Sequence, residues 1–129
     1  MPVLKAVGLK KTYATAAGRL VVLEGLDLTV EPGEMVAVTG ASGVGKTTLL
    51  NLLGLMDQLE EGEIFLDSES IGSLQPNKQA EIRNRKFGFI FQFHHLLADF
   101  TAGENAAFPL FMRGVAQSEA LPAISRLLE

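Results

Sequence analysis

Nine consecutive residues, Gly40-Ala41-Ser42-Gly43-Val44-Gly45-Lys46-Thr47-Thr48, hold the densest chemistry in this chain. They fit the spacing G-x-x-x-x-G-K-[ST], with Gly40, Gly45, Lys46 and Thr47 at the fixed places. A loop that wraps a polyphosphate must turn its backbone N–H groups inward, and side chains block that approach. Gly40, Gly43 and Gly45 remove them. Lys46 supplies a point charge for the β- and γ-phosphates, and the Thr47 hydroxyl is a ligand for Mg²⁺.

Such a loop needs a buried strand before it and a helix after it. The run Met35-Val36-Ala37-Val38-Thr39, after the turn at Pro32-Gly33, predicts the strand. The run from Thr48 to Met56 is apolar nearly all round and predicts a buried helix. That helix adds free N–H donors and partial positive charge at its start. An ordinary glycine turn has no need of Lys-Thr at this offset, so a phosphate-binding loop is the reading taken.

The earlier chain must supply the rest of the scaffold. Residues 3–12 alternate between apolar and polar, and Leu20 to Val30 places Val22, Leu26, Leu28 and Val30 on one alternation. These predict two strands of an antiparallel ribbon, with an irregularity at Gly25. Tyr13, the only tyrosine, is either a partly buried aromatic at a strand end or a ring for a nucleotide base. The residues leave both open. After the loop helix, Asp57 to Glu61 form an acidic connector. Gly62 to Leu66 predict a strand with a short return at Ile71, and Pro76 opens a polar helix to about Arg85. The basic residues of that helix read as a solvated face.

Phe87-Gly88-Phe89-Ile90-Phe91 predicts a second buried strand, ended by Gln92. The following Phe93, His94, His95, Leu96, Leu97 and Phe100 are too apolar for an ordinary solvent loop and predict a protein contact. Adjacent histidines do not converge on one ion, and no third ligand lies nearby in sequence. Thr101 and Glu104 form a capping box for a helix that contains Pro109. Ser118 caps a last helix with Leu121, Ile124, Leu127 and Leu128 on one face. A boundary is expected near Phe100 to Thr101, giving a first half of a core over 1–100 and the beginning of a helical subdomain over 101–129. The apolar stripe still runs at Glu129, with no closing glycine, which reads as an interrupted chain.

Composition narrows the classes. The chain has 129 residues, 47% hydrophobic, with a net charge of −4 and no cysteine. There is no Cys zinc site and no thiolate nucleophile, and the acidic balance argues against a general nucleic-acid binder. No apolar run reaches the length of a membrane span, and no signal peptide is visible. A GTPase would need Asn-Lys-x-Asp, and Asn77-Lys78 is followed by Gln79-Ala80.

With these parts placed, the chain resembles the N-terminal half of an ABC transporter ATPase. The frame LEGLDLTVEPGEMVAVTGASGVGKTTLLNLLG is typical of that family, and Ala80 to Leu110 is similar to its lipoprotein-releasing (LolD-type) branch. Macrolide-exporter and cell-division ATPases form the neighbouring branches. The resemblance implies an α/β P-loop NTPase core with an N-terminal antiparallel β ribbon. It implies ATP and Mg²⁺ as ligands, with Tyr13 as the base-stacking aromatic and Gly40 to Thr48 as the phosphate loop. Gln92 matches the glutamine that holds Mg²⁺ with Thr47, and Phe93 to Phe100 match the region that meets the transmembrane permease. It further implies a homodimer of ATPase subunits at the cytoplasmic face of the inner membrane. The LSGGQ-like signature, Walker B aspartate, catalytic glutamate and switch histidine of the family are absent from this sequence. The resemblance implies an ATPase that powers export or release of a substrate, a lipoprotein in that branch, through a membrane partner, with the chain as given inactive alone; the rival is a non-catalytic truncated fragment that binds nucleotide at most. Ala98, Gly103 and Leu59 depart from residues common in the family.

Overall fold

The computed structural model describes residues 1–128. The chain divides into two compact units, Met1–Arg83 and one that begins at Asn84.

The first unit is built on a four-stranded antiparallel sheet in the order β2-β1-β3-β4. Strands β1 (Leu4–Thr15) and β2 (Gly18–Val30) form a hairpin whose ladder closes at Thr15 opposite Gly18. The predicted loop of residues 14–19 thus shrinks to a two-residue turn. The irregularity expected at Gly25 is present. Its φ is 68°, and the register shifts between the pairs Leu9–Leu26 and Lys11–Leu23. A second shift at Gly8, φ 60°, moves the buried side chains of β1 from Ala6 to Leu9 and Lys11. Asp27 Oδ1 accepts the Gly8 N–H at 2.6 Å. On its other edge β1 pairs with β3 (Glu61–Leu66), which turns into the short β4 (Glu69–Ser70). Gly62 makes this crossing possible. With φ 98°, a Cβ there would lie 2.6 Å from the carbonyl oxygens of Val7 and Gly8.

Helix α1 (Lys46–Leu53) follows the glycine loop and buries Leu49, Leu52 and Leu53, while Leu50 stays exposed. It is therefore amphipathic and not buried all round. The acidic connector after it leads into β3. Helix α2 (Pro76–Lys86) starts at its proline as expected and buries none of its side chains. Arg83 Nη1 donates to the Leu55 carbonyl at 2.5 Å.

The second unit carries α3 (Ala102–Phe111) and α4 (Gln117–Leu128). The capping box forms in full. Thr101 Oγ1 accepts the Glu104 N–H at 3.2 Å, and Glu104 Oε2 accepts the Thr101 N–H at 2.8 Å. Pro109 is held within α3, which ends two residues later. Helix α4 starts one residue ahead of Ser118, with Ala116 O accepting from the Glu119 and Ala120 amides. Ala107, Ala120 and Ile124 make the core of the pair, with Leu110, Phe111, Val115 and Leu121 against it. Leu127 and Leu128 are exposed.

Two expected strands do not form. Met35 to Thr39 and Phe87 to Phe91 join no ladder among the described residues. Both were expected to be buried, yet Met35 and Ile90 are wholly exposed. The second run is still strand-shaped: the rings of Phe87, Phe89 and Phe91 stack along one side at 6.0 and 5.7 Å. An apolar run sets strand propensity, but only a neighbouring strand supplies the ladder hydrogen bonds.

Candidate functional site

The loop from Gly40 to Gly45 takes its shape from positive φ. Gly40, Gly43 and Gly45 stand at 157°, 78° and 108°. Two of them have steric reasons as well. A Cβ on Gly40 would come 2.8 Å from Val44 Cγ1, and one on Gly45 would come 2.7 Å from Val22 Cγ1 on β2. Gly45 is thus the point where the loop rests on the ribbon. It is also the N-cap of α1 and offers no side-chain acceptor to the first turn. The first-turn N–H groups of such a helix need an acceptor from elsewhere.

Lys46 is folded over the loop. Its Nζ donates to the carbonyls of Gly40 and Ala41, both at 2.7 Å. The ammonium therefore sits against the loop's own carbonyls, at the start of α1. Thr47 is exposed in the first turn, and Thr48 is half-buried behind it. Ser42 and Val44 are exposed on the loop. A triphosphate suits this donor set: one ammonium, glycine-freed backbone amides, a helix N-terminus and a hydroxyl. The Thr47 hydroxyl is the group in this unit that fits a Mg²⁺ carried in by such a ligand.

Tyr13 stands near the end of β1, paired with Leu20. Its hydroxyl donates to Asp57 Oδ2 at 2.8 Å, and Lys11 Nζ lies 5.3 Å from its ring centroid. Lys11 also reaches Asp57 Oδ1 at 2.8 Å and the Gln58 carbonyl at 2.7 Å. Its neighbours are tied in the same way. Glu60 accepts from the Thr12 amide at 2.8 Å and from Arg19 Nη2 at 2.8 Å, and Glu61 accepts from Lys10 at 2.7 Å. Every residue from Lys10 to Tyr13 is thus bonded to the connector 57–61. Burial pushes the Asp57 carboxyl up, but hydrogen bonds from Lys11, Tyr13 and the Gln58 amide together hold it below its ordinary value. The Thr12 side chain and amide hold Glu60 below its own. The residue pattern had marked the connector only as acidic. Its pairing with β1 spans more than forty residues of sequence, beyond the reach of local periodicity.

Gln92 and the apolar segment after it belong to the second unit. Gln92 is exposed at a bend. Phe93, Leu96, Leu97 and Phe100 are exposed, as are His94 and His95. The His95 ring meets Phe91 edge-on at 4.9 Å, and Phe100 meets Phe108 at 5.0 Å. No group of acidic or histidine side chains that could hold a metal occurs among the described residues. Sequence reasoning missed Asn105. Its Oδ1 accepts the Leu97 amide at 2.8 Å, and its Nδ2 donates to Phe100 O at 3.0 Å and Thr101 O at 2.9 Å. It fixes the end of the apolar segment to α3.

Residues 23–128 match the family model described as ABC transporter. The lipoprotein-releasing system ATP-binding protein LolD of Hyphomonas neptunium is 51% identical over 99% of this chain, which covers 56% of that protein. The corresponding LolD of Alcanivorax borkumensis is 45% identical over the same shares. Among solved structures, a dimeric post-hydrolysis state of the ATP-binding cassette MJ0796, bound to ADP and Pi, aligns with a TM-score of 0.86 at 31% identity. That alignment covers 95% of this chain and 54% of the cassette. The chain spans about half the length of the curated relatives it matches.

Proposed function

The chain belongs to the ABC transporter family, and from that premise we propose that it is the ATP-binding part of a transporter ATPase that drives lipoprotein release. The observation that carries the ATP site is the loop itself, with Lys46 Nζ held among its carbonyls at the start of α1. On binding, the ammonium exchanges the carbonyls of Gly40 and Ala41 for phosphate oxygens, a charge-assisted and stronger contact. Amides from Ala41 to Thr48 and the helix N-terminus take the remaining phosphate charge. Thr47 would ligate the Mg²⁺ that accompanies the nucleotide, and Tyr13 stacks on the base.

The substrate rests on similarity to relatives named as lipoprotein-releasing ATP-binding proteins. In this reading the whole protein works as a homodimer on the cytoplasmic face of the inner membrane. The exposed segment Phe93 to Phe100 docks on a transmembrane permease, and the helices after Thr101 begin a separate subdomain. No helix among the described residues is long and apolar enough to cross a membrane.

Phosphoryl transfer needs a group that orients the attacking water, in addition to charge neutralisation. This chain supplies the second part, and in this reading these 129 residues by themselves bind MgATP without turnover. Titration calorimetry with ATP and GTP tests the binding, with Lys46→Ala as the control. Loss of about tenfold or more in affinity is expected for the variant, since a charge-assisted phosphate contact is removed. Steady hydrolysis by the pure chain, abolished in Lys46→Ala, would overturn the binding-only reading. Undiminished ATP affinity in the variant would overturn the site.

A further inference from the structure

The connector that follows α1 does more than link it to β3. Asp57 uses one carboxylate oxygen for Lys11, at 2.8 Å, and the other for the Tyr13 hydroxyl, also at 2.8 Å. Lys11 is almost wholly buried, and its ammonium stands 5.3 Å from the ring centroid of Tyr13. The ring is therefore fixed at its tip by Asp57 and occupied on one face by Lys11. A ring held at both places cannot swing about its Cα–Cβ bond without breaking two charge-assisted contacts. The face away from Lys11 is the one left for a ligand, and Tyr13 as a residue is 37% exposed.

The same unit ties this ring to the phosphate loop by two routes. One runs through α1: the loop begins the helix at Lys46, and the connector leaves it just beyond Gly54. The other runs through the ladder. Gly45 lies against Val22 on β2, whose neighbours Val21 and Leu23 pair with Thr12 and Lys11 on β1.

We infer that Asp57 and Lys11 are positioning residues that hold Tyr13 as a fixed stacking platform at a set place relative to the phosphate loop. This rests on the reading of Tyr13 as the base-stacking ring. Asp57 touches no part of the ligand and acts only through Tyr13. Its loss must therefore weaken a ligand that has a base and spare one that has only phosphates.

The test uses two probes, ATP and inorganic tripolyphosphate, on the 129-residue chain and on Tyr13→Ala, Tyr13→Phe and Asp57→Asn. Tyr13 is the only tyrosine and there is no tryptophan, so ring-labelled tyrosine gives one assigned NMR signal set. Stacking on one base is worth enough for Tyr13→Ala to weaken ATP by about tenfold or more. Tyr13→Phe and Asp57→Asn are expected to weaken ATP by about threefold to tenfold, through a mobile ring, with tripolyphosphate affinity held within about twofold. In the unsubstituted chain ATP shifts the ring signals and tripolyphosphate does not. In Asp57→Asn the ring signals move before any ligand is added. Full ATP affinity in Tyr13→Phe and Asp57→Asn, with Tyr13→Ala impaired, would overturn the positioning role and leave stacking intact. Full ATP affinity in Tyr13→Ala would overturn stacking and the platform together. Equal loss for ATP and tripolyphosphate in Asp57→Asn and Tyr13→Phe would show a merely structural cluster and overturn the proposal.

Discussion

Gly45 illustrates how much a single position can be asked to do. It holds φ 108°, ends the loop, caps α1 and leaves room for Val22. Gly45→Ala is expected to cost more than about 1 kcal/mol from backbone strain alone, and urea unfolding will show it. Restoring space with Val22→Ala relieves the 2.7 Å contact but not the φ, so the double variant recovers only part of the loss. At the same scale, Asp57 carries a pH signature. Its carboxyl is held below its ordinary 3.8 in the folded chain. A depressed carboxylate stabilises the fold above its unfolded value, and that contribution fades as pH falls through the folded value. Thermal melts below about pH 4 should therefore lose stability more steeply in the unsubstituted chain than in Asp57→Asn. Parallel pH slopes for the two would contradict the shift. The glycine turn and the helix start at Lys46 were legible in sequence because they are set by adjacent residues. Asp57 was not, because its partners lie across the sheet.

Local signals served equally well for elements closed within themselves. The capping box at Thr101, the proline start of α2, the hairpin and its irregularity at Gly25 all follow from residues a few positions apart. Thr101→Ala is expected to cost about 1 kcal/mol of helix stability, read as lost protection of the α3 amides in hydrogen exchange. Gly62 is an element-scale case of another kind. A Cβ there meets backbone oxygen atoms of Val7 and Gly8 and not a yielding side chain. Gly62→Ala should therefore break the β1–β3 pairing, with a larger drop in melting temperature than Gly43→Ala, whose Cβ would meet open space. The runs at Met35 and Phe87 mark the limit of local reading. Their residues ask for a strand, and in the second case alternate rings stack on one side, but pairing is a property of two segments.

Across the whole molecule, those two runs and the segment Phe93 to Phe100 present apolar side chains to solvent. Exposed strand-length apolar backbone invites edge pairing between chains. Ile90→Lys should raise the concentration at which the chain stays monodisperse in light scattering, and it should leave the melting of its own unit unchanged. A drop in that melting would assign Ile90 a packing role that its full exposure denies.

Contacts in the first unit close on themselves: Tyr13 to its ladder partners, to Val22, to Gly45, along α1 to Asp57, and back to Tyr13. In thermodynamic terms, and on the proposed reading of Tyr13 and the loop, such a circuit makes a nucleotide a bivalent ligand. Once the phosphates are seated, the base meets its platform at an effective concentration set by the circuit and not by the solution. Cutting one link leaves both half-sites standing but removes that advantage. Adenosine and tripolyphosphate offered as separate molecules should accordingly fall far short of ATP, by a margin that narrows when Asp57 is replaced.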